Sequence, residues 1–380
     1  MIRILFVHKK MECGGVEKAL YDLIMLLDKD TYDVTVLLQQ EGGIWEQKFR
    51  DAGIKLTHIY DCQKGSSKPL VKAGNLLKRW ALDIAWRRDG KGALAIALPS
   101  DYDLIVNFGV VVFDRLTFYK NTKTIKYIHG DAGTNQPYRE YLERNRTLFT
   151  EFDRIICVSE TARKSFEEIT QVRDRVITRY NPLDSEHIRI LAQEPVDLPK
   201  DLPLICAVGR LSPEKAFDRL VRIHKNLLDK GLRHRLVIVG DGPEREKIEE
   251  EIRRTGTEDS VILAGYQSNP YPYMKQSEFL VCSSYTEGLP VISMEALSLG
   301  IPIVSAVPAI GEIFGGQCCG IITDNDDASL EAGVEKMLRD PSFYKEATDG
   351  ASKQSSFFEG KRMVSQVEEV FRNLAGENRS

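Results

Sequence analysis

The pattern of this chain predicts two α/β domains, each built on a doubly wound parallel sheet. Three observations carry that expectation. At 380 residues the chain exceeds what one hydrophobic core usually organises. Short apolar runs alternate with helix-periodic segments through both halves, the signature of βαβ units. Between the halves, Asn181-Pro182-Leu183-Asp184 breaks the alternation, and Pro195, Pro199 and Pro203 punctuate the stretch after it. The expected division is 1–182 for the first domain and 183–361 for the second. The last helix, 362–380, is amphipathic over Arg362–Leu374 and is expected to pack back on the first domain.

In the first half, Ile2–His8 reads as a strand ending in the polar loop Lys9–Gly15. From Val16, residues Ala19, Leu20, Leu23, Ile24 and Leu27 fall on one helical face. Further strands are expected at Tyr32–Leu38, Lys55–Ile59, Asp103–Phe108, Thr124–His129, Arg154–Val158 and Arg175–Tyr180. The second half repeats the alternation with Leu204–Val208, Arg235–Val239, Ser260–Ala264, Glu278–Cys282, Pro302–Ala306 and Gly320–Thr323. Ligands of such sheets bind beyond the carboxyl ends of the strands. The loops there are where chemistry is expected.

Composition excludes several classes. A net charge of −4 disfavours a dedicated nucleic-acid binder. Seven cysteines, with no CxxC pair, form no zinc-like spacing. Cys157, Cys206 and Cys282 lie in apolar strands and read as buried thiols, while Cys318-Cys319 has no functional reading. HExxH, GxSxG, a P-loop and GxGxxG are all missing, which disfavours metalloprotease, serine hydrolase, kinase-like and nicotinamide readings. The start, MIRILFVHKK, reads as a strand rather than a signal peptide, and no apolar run approaches a membrane span. The expected location is cytoplasmic.

The stretch Ser283–Ile303 sets two carboxylates, Glu287 and Glu295, on either side of Gly288-Leu289-Pro290. Pro290 is expected at the first position of a helix, with Glu295 in its second turn and Gly300 and Pro302 ending it. Helix-start N–H groups lack intrahelical partners and sit at the positive dipole end, so they receive anions, often phosphate. A phosphate seat flanked by two carboxylates suits a sugar nucleotide.

Two loops of the second half flank it in kind. Gly209-Arg210-Leu211-Ser212-Pro213-Glu214-Lys215 follows the first strand; it is either a solvated surface loop or a diphosphate clamp, Arg210 gripping two oxygens and Lys215 adding a point charge. Gly240-Asp241-Gly242-Pro243-Glu244 reads as a tight strand-to-helix turn, with Pro243 starting the helix and glycines that permit close backbone approach. In the first half, Gly14-Gly15 opens a helix with bare N–H groups, and Glu17 reads as a first-turn acid. His129 stands at a strand end beside Gly130-Asp131; a lone histidine there is structural by default.

From Lys64 to Lys91, eight Lys/Arg and two Asp are interleaved with Leu76, Leu77, Trp80, Leu82, Ile84 and Trp86. That is the composition of an interfacial helix on an anionic membrane, and equally of a domain helix with its Trp residues in the core.

Taken together the motifs resemble retaining glycosyltransferases of family 4, which have the GT-B fold. The resemblance runs in register through Gly14-Gly15-Val16-Glu17, His129, Val158-Ser159-Glu160, Asn181-Pro182-Leu183-Asp184, Gly209-Arg210-Leu211 with Pro213-Glu214-Lys215, Gly240-Asp241-Gly242-Pro243-Glu244, Asn269-Pro270-Tyr271-Pro272-Tyr273-Met274, and Glu287-Gly288-Leu289-Pro290 leading to Glu295-Ala296. One departure is Ala216, where many relatives have Gly or Asn after the lysine.

The resemblance implies two Rossmann-like domains facing each other across a cleft, an acceptor-side first domain and a donor-binding second one. It implies that Arg210 and Lys215 hold the donor diphosphate, Glu287 contacts the donor sugar, Glu295 binds the ribose, and N–H groups after Gly288, through Leu289 and Pro290, meet sugar or phosphate. Gly209 and Gly242 would line the donor site, Gly14 and Gly15 would approach the diphosphate, His129 would touch the sugar, and Tyr266-Gln267 would lie near the base. The expected reaction moves a hexose or N-acetylhexosamine from a UDP-sugar to a lipid-linked or growing surface glycan, with retention and with neither metal nor cofactor. A non-transferring enzyme on a UDP-sugar, epimerase-like, and an inactive partner of a transferase are the alternatives. Docking of the basic segment would place the protein at the inner face of the cell membrane.

Overall fold

The computed structural model describes residues 1–12, 14–58, 102–109 and 122–377, together with six positions between 74 and 84. It divides into two compact units. The first comprises Met1–Val158, Ala162–Tyr180 and Val364–Ser380; the second comprises Ser159–Thr161 and Asn181–Met363.

The first unit holds a seven-stranded parallel sheet: β1 (Ile2–His8), β2 (Tyr32–Leu38), β3 (Lys55–His58), β4 (Leu104–Asn107), β5 (Lys123–Ile128), β6 (Arg154–Cys157) and β7 (Val176–Thr178), in the order β3-β2-β1-β4-β5-β6-β7. The central strands are continuous apolar runs because helices cover both faces of such a sheet. Ile4–Val7 of β1 and Leu104–Val106 of β4 are accordingly buried, in register Ile4 to Leu104. Helices α1 (Gly15–Leu26), α2 (Ile44–Asp51), α3 (Gln136–Arg144) and α4 (Glu160–Thr170) alternate with the strands. The C-terminal helix of the chain brings Phe371 into edge contact with Phe6 and Tyr32 of this unit, at 6.2 Å each.

The second unit carries a six-stranded parallel sheet: β8 (Leu204–Val208), β9 (Arg235–Val239), β10 (Val261–Gly265), β11 (Phe279–Cys282), β12 (Ile303–Ser305) and β13 (Gly320–Ile322), in the order β10-β9-β8-β11-β12-β13. Its helices are α5 (Ser185–Leu191), α6 (Phe217–Asp229), α7 (Arg245–Thr255), α8 (Tyr271–Lys275), α9 (Val291–Ser298), α10 (Ala309–Glu312), α11 (Asp327–Arg339) and α12 (Pro341–Gln354), and α13 (Gly360–Glu377) follows. On α6, Phe217, Leu220, Val221, His224 and Leu227 recur at helical spacing and are buried against the sheet. Cys157, Cys206 and Cys282 are buried thiols, as their apolar strands suggest.

Both sheets share one consequence of their order. The chain runs outward from the first strand to the third, then returns to place the fourth strand on the other side of the first. Adjacent loops therefore diverge at β1/β4 and at β8/β11, and the crevice opened there is where doubly wound sheets take their ligands.

Candidate functional site

In the second unit, the loops after β8 and β11 meet at that switch point. Phe279 and Leu280 of β11 pair with Ile205 and Cys206 of β8, so both strands release their loops side by side. The β8 loop carries Arg210 and Lys215, and the β11 loop carries Glu287. Lys215 Nζ donates to Glu287 Oε1, across 72 positions of sequence. Ser284 Oγ donates to the same carboxylate oxygen at 3.2 Å. Burial, the largest single influence, would lower the Lys215 pKa; the Glu287 charge and hydrogen bond, with Cys282 and Glu214 adding to them, together outweigh it and hold the ammonium above its ordinary value. Lys215 is therefore a fixed cation whose charge partner sits on the opposing loop.

The loops are stitched by backbone contacts as well. Ser283 Oγ donates to Lys215 O at 2.8 Å, and Tyr285 N donates to Glu214 O at 2.8 Å. Arg210 is more exposed, with Nη2 3.3 Å from Glu214 Oε1. Ser212 Oγ donates to that oxygen at 2.5 Å. Burial would raise the Glu214 pKa, but these donors bring it below the usual carboxylate value. Ala216 ends the loop in the left-handed region, φ 53° and ψ 44°, and its N–H donates to Pro213 O. A side chain is strained in this conformation, which explains why Gly or Asn suits the position.

Gly209 starts the β8 loop, and its N–H donates to Val239 O at 3.0 Å. Gly242 supports that loop from the next one. A Cβ on Gly242 would lie 2.4 Å from Leu211 O and 2.8 Å from Leu211 N. The close backbone approach that this glycine permits is thus to the protein's own basic loop. Pro243 does not start the helix as the sequence suggests; α7 begins at Arg245 with Glu244 as its N-cap.

Beyond Glu287, Gly288 O accepts from Ser159 Oγ at 2.9 Å, and Leu289 is buried. Pro290 is the N-cap of α9, with extended backbone (φ −62°, ψ 122°), so the helix begins at Val291, one position later than the sequence suggests. Its fixed φ serves the extended cap as well as a helical turn, so the boundary moves by one residue while Gly288-Leu289-Pro290 still leads into the helix start. Glu295 falls in the second turn of α9, is 4% exposed, and accepts from Tyr271 Oη at 2.8 Å. Tyr266 and Gln267 follow β10, the edge strand two places from β8; Tyr266 is exposed and Gln267 Nε2 donates to Ala264 O. The structure therefore brings Lys215, Glu287 and the β8 loop together, and sets Tyr266-Gln267 apart at the sheet edge.

In the first unit, Gly14 is the N-cap of α1 and Gly15 its first residue. A Cβ on Gly14 would lie 2.6 Å from Glu17 Oε2, so the glycine leaves room for that carboxylate. Glu17 is more than a first-turn acid: its Oε1 lies 3.1 Å from Nε2 of His8, the last residue of β1. His129 follows β5, with Nε2 2.9 Å from Phe108 O and its ring stacked on Tyr127. Burial, then the nearby His8 and Lys126, hold it well below the ordinary imidazole value, so it is neutral at physiological pH. Beneath it, buried Lys126 donates to Gly109 O at 3.0 Å and to Asn107 Oδ1 at 3.3 Å. Motif reading missed both His8 and Lys126. A histidine at a strand end was a visible signal for His8, as it was for His129; a lysine inside an apolar strand was the signal for Lys126.

Much of Lys64–Lys91 lies outside the described residues. Of the six described positions, all helical, Leu76, Leu77, Trp80 and Ile84 are exposed, at 70%, 65%, 65% and 39%. No described helix is long and apolar enough to cross a membrane. Among the described residues, no group of three or more His, Cys, Asp or Glu is placed to hold a metal ion.

Two family descriptions match consecutive parts of the chain: Glycosyltransferase Family 4 over residues 13–187 and Glycosyl transferases group 1 over residues 189–354. An uncharacterized glycosyltransferase of Methanocaldococcus jannaschii is 27% identical over 255 residues, 63% of this chain and 62% of its own. The Campylobacter jejuni N-acetylgalactosamine-N,N'-diacetylbacillosaminyl-diphospho-undecaprenol 4-alpha-N-acetylgalactosaminyltransferase is 31% identical over 183 residues, 47% of this chain and 49% of its own. The matched part thus spans less than two thirds of these relatives' length. Anabaena HepE, solved in complex with UDP and glucose, superposes with a TM-score of 0.77 at 19% identity, covering 98% of this chain and all of that one. That likeness shows the fold, GT-B.

Proposed function

The chain belongs to the family 4, group 1 glycosyltransferases, and on that premise we propose that it transfers a hexose or N-acetylhexosamine from a UDP-sugar to a lipid-linked or growing glycan, with retention. The observation that carries the reading is the pairing of Lys215 with Glu287 beside Arg210 at the β8/β11 switch point. Two cations and a helix start can neutralise a diphosphate, and the carboxylate beside them can accept sugar hydroxyls.

In this mechanism Arg210 and Lys215 stabilise charge that grows on the leaving diphosphate, the kind of interaction that strengthens in the transition state. The leaving phosphate helps deprotonate the incoming hydroxyl on the same face of the sugar, so configuration is retained. Glu287 orients the sugar, Glu295 binds the ribose, and neutral His129 offers a hydrogen bond rather than a proton-transfer group. The UDP in the HepE structure and the undecaprenyl-linked acceptor named for the Campylobacter relative support the choice of donor and acceptor classes.

A thermal-shift screen with UDP-, GDP- and ADP-sugars tests the donor. A UDP-sugar is expected to raise the melting temperature by mass action and then to support transfer to a polyprenyl-diphosphate-linked sugar. A shift with GDP- or ADP-sugars alone overturns the UDP reading.

Peripheral docking through 64–91 belongs to the same proposal. Exposed Leu76, Leu77, Trp80 and Ile84 recur at helical spacing, and the segment's excess of Lys/Arg suits an anionic bilayer. Co-sedimentation with anionic vesicles at low salt is expected, and no binding there contradicts it.

A further inference from the structure

Arg219 lies on α6, four residues past Lys215, and is completely buried. Its Nη1 donates to Asn325 Oδ1 at 2.7 Å and lies 3.4 Å from Ser283 O. Its Nε lies 2.8 Å from Asp327 Oδ1, and the ring of Tyr285 covers the guanidinium at 5.3 Å. Asn325, in the loop after β13, uses its other end on the same target: Nδ2 donates to Tyr285 O at 2.8 Å and lies 3.3 Å from Ser284 O. One arginine and one asparagine therefore hold three consecutive residues, Ser283–Tyr285, of the loop that presents Glu287.

Stability is a poor explanation for this arrangement. A buried guanidinium is costly to desolvate, and replacing a buried ion pair by apolar groups of similar volume is often neutral or stabilising. Arg219 Nη2 has no hydrogen-bond partner among the described residues, so even the present network leaves a donor unused. What the network does supply is position. The β8 loop grips Ser283 and Tyr285 from one side, through Lys215 O and Glu214 O. Arg219 and Asn325 grip the same residues from beneath. Ser284, between them, bonds Glu287.

We propose that Arg219 and Asn325 are positioning residues that fix the Ser283–Tyr285 loop and thereby aim Glu287 at the donor sugar, without touching the donor themselves. The proposal rests on the reading of Glu287 as a sugar contact. A displacement of about 1 Å at such a group is enough to cost on the order of a hundredfold in rate.

The test is a double-mutant cycle on the full chain, with Asn325→Ala and Arg219→Met each made in the wild type and in Glu287→Ala. Asn325→Ala removes the Nδ2 donors to Ser284 and Tyr285 and the Oδ1 that accepts from Arg219 Nη1, but leaves the guanidinium in place, and so covers the case in which Arg219→Met fails to fold. Initial rates over a donor series give kcat and KM, and thermal melts report folding. In the wild type, Asn325→Ala is expected to lower kcat about tenfold or more, with a fall in melting temperature no larger than the same change causes in Glu287→Ala. In the Glu287→Ala background the same change is expected to cost less than about twofold, because its effect runs through Glu287. Equal losses in both backgrounds, or losses that track the melting temperature, overturn the proposal. Normal turnover in Glu287→Ala alone overturns the reading beneath it, and is seen in that single variant before the cycle is closed.

Discussion

Lys215 donates to Glu287 between two loops that strand order, rather than sequence order, makes neighbours. The pair sets a cation and a carboxylate side by side, each holding the other in place; in the proposed function the cation serves the phosphate and the carboxylate the sugar hydroxyls.

Lys215→Ala removes the point charge and leaves Glu287, 19% exposed, without its cation. Transfer is expected to fall at least about a hundredfold, the usual loss when one transition-state stabiliser is deleted. Steady-state rates at saturating donor check this, and near-normal turnover sinks the assignment.

Gly242→Ala drives a Cβ to 2.4 Å from Leu211 O, which no side-chain rotation relieves. The β8 loop must shift, carrying Arg210 with it. The expected cost is about 1–3 kcal/mol of stability, together with a raised KM for donor. Urea unfolding and initial rates measure the two effects. A variant equal to wild type in both places Gly242 outside the support of the basic loop.

The pH dependence of stability should show the buried histidine pair of the second unit. His224 Nδ1 lies 2.8 Å from His234 Nε2, His224 Nε2 lies 2.9 Å from Ser260 Oγ, and His234 Nδ1 lies 2.8 Å from Leu232 O. Burial, with His234 adding to it, lowers the His224 pKa to about 3. The unfolded chain takes up that proton near pH 6.5, so the contribution is full above about 6.5 and is lost as pH falls toward 3. Each unit in that window removes at most about 1.4 kcal/mol. Urea curves at pH 7, 6 and 5 are expected to show a shallower decline in His224→Leu, and equal slopes contradict the assignment.

Both sheets were legible in the sequence because buried parallel strands are unbroken apolar runs, and Leu204–Val208 or Ile2–His8 can hardly be read otherwise. The loops of the site were legible because Arg, Lys and Gly cluster at strand ends. Pairing was not. Nothing in local sequence sets Lys215 beside Glu287, since the contact depends on β11 returning to the flank of β8. The same holds for Glu17 on His8, for Gly242 under Leu211 and for Asn325 beneath the Glu287 loop, all set by tertiary packing. Pro290 shows the smaller error: a fixed φ suits both a cap and a first helical turn, and only the observed ψ of 122° separates them.

The most direct measurement compares UDP with a UDP-sugar in Glu287→Ala. If Glu287 contacts the sugar while Lys215 and Arg210 hold the diphosphate, the variant binds UDP within about twofold of wild type by calorimetry, yet transfers the sugar at least about a hundredfold more slowly. Normal transfer, or a loss of UDP affinity as large as the loss of rate, contradicts it.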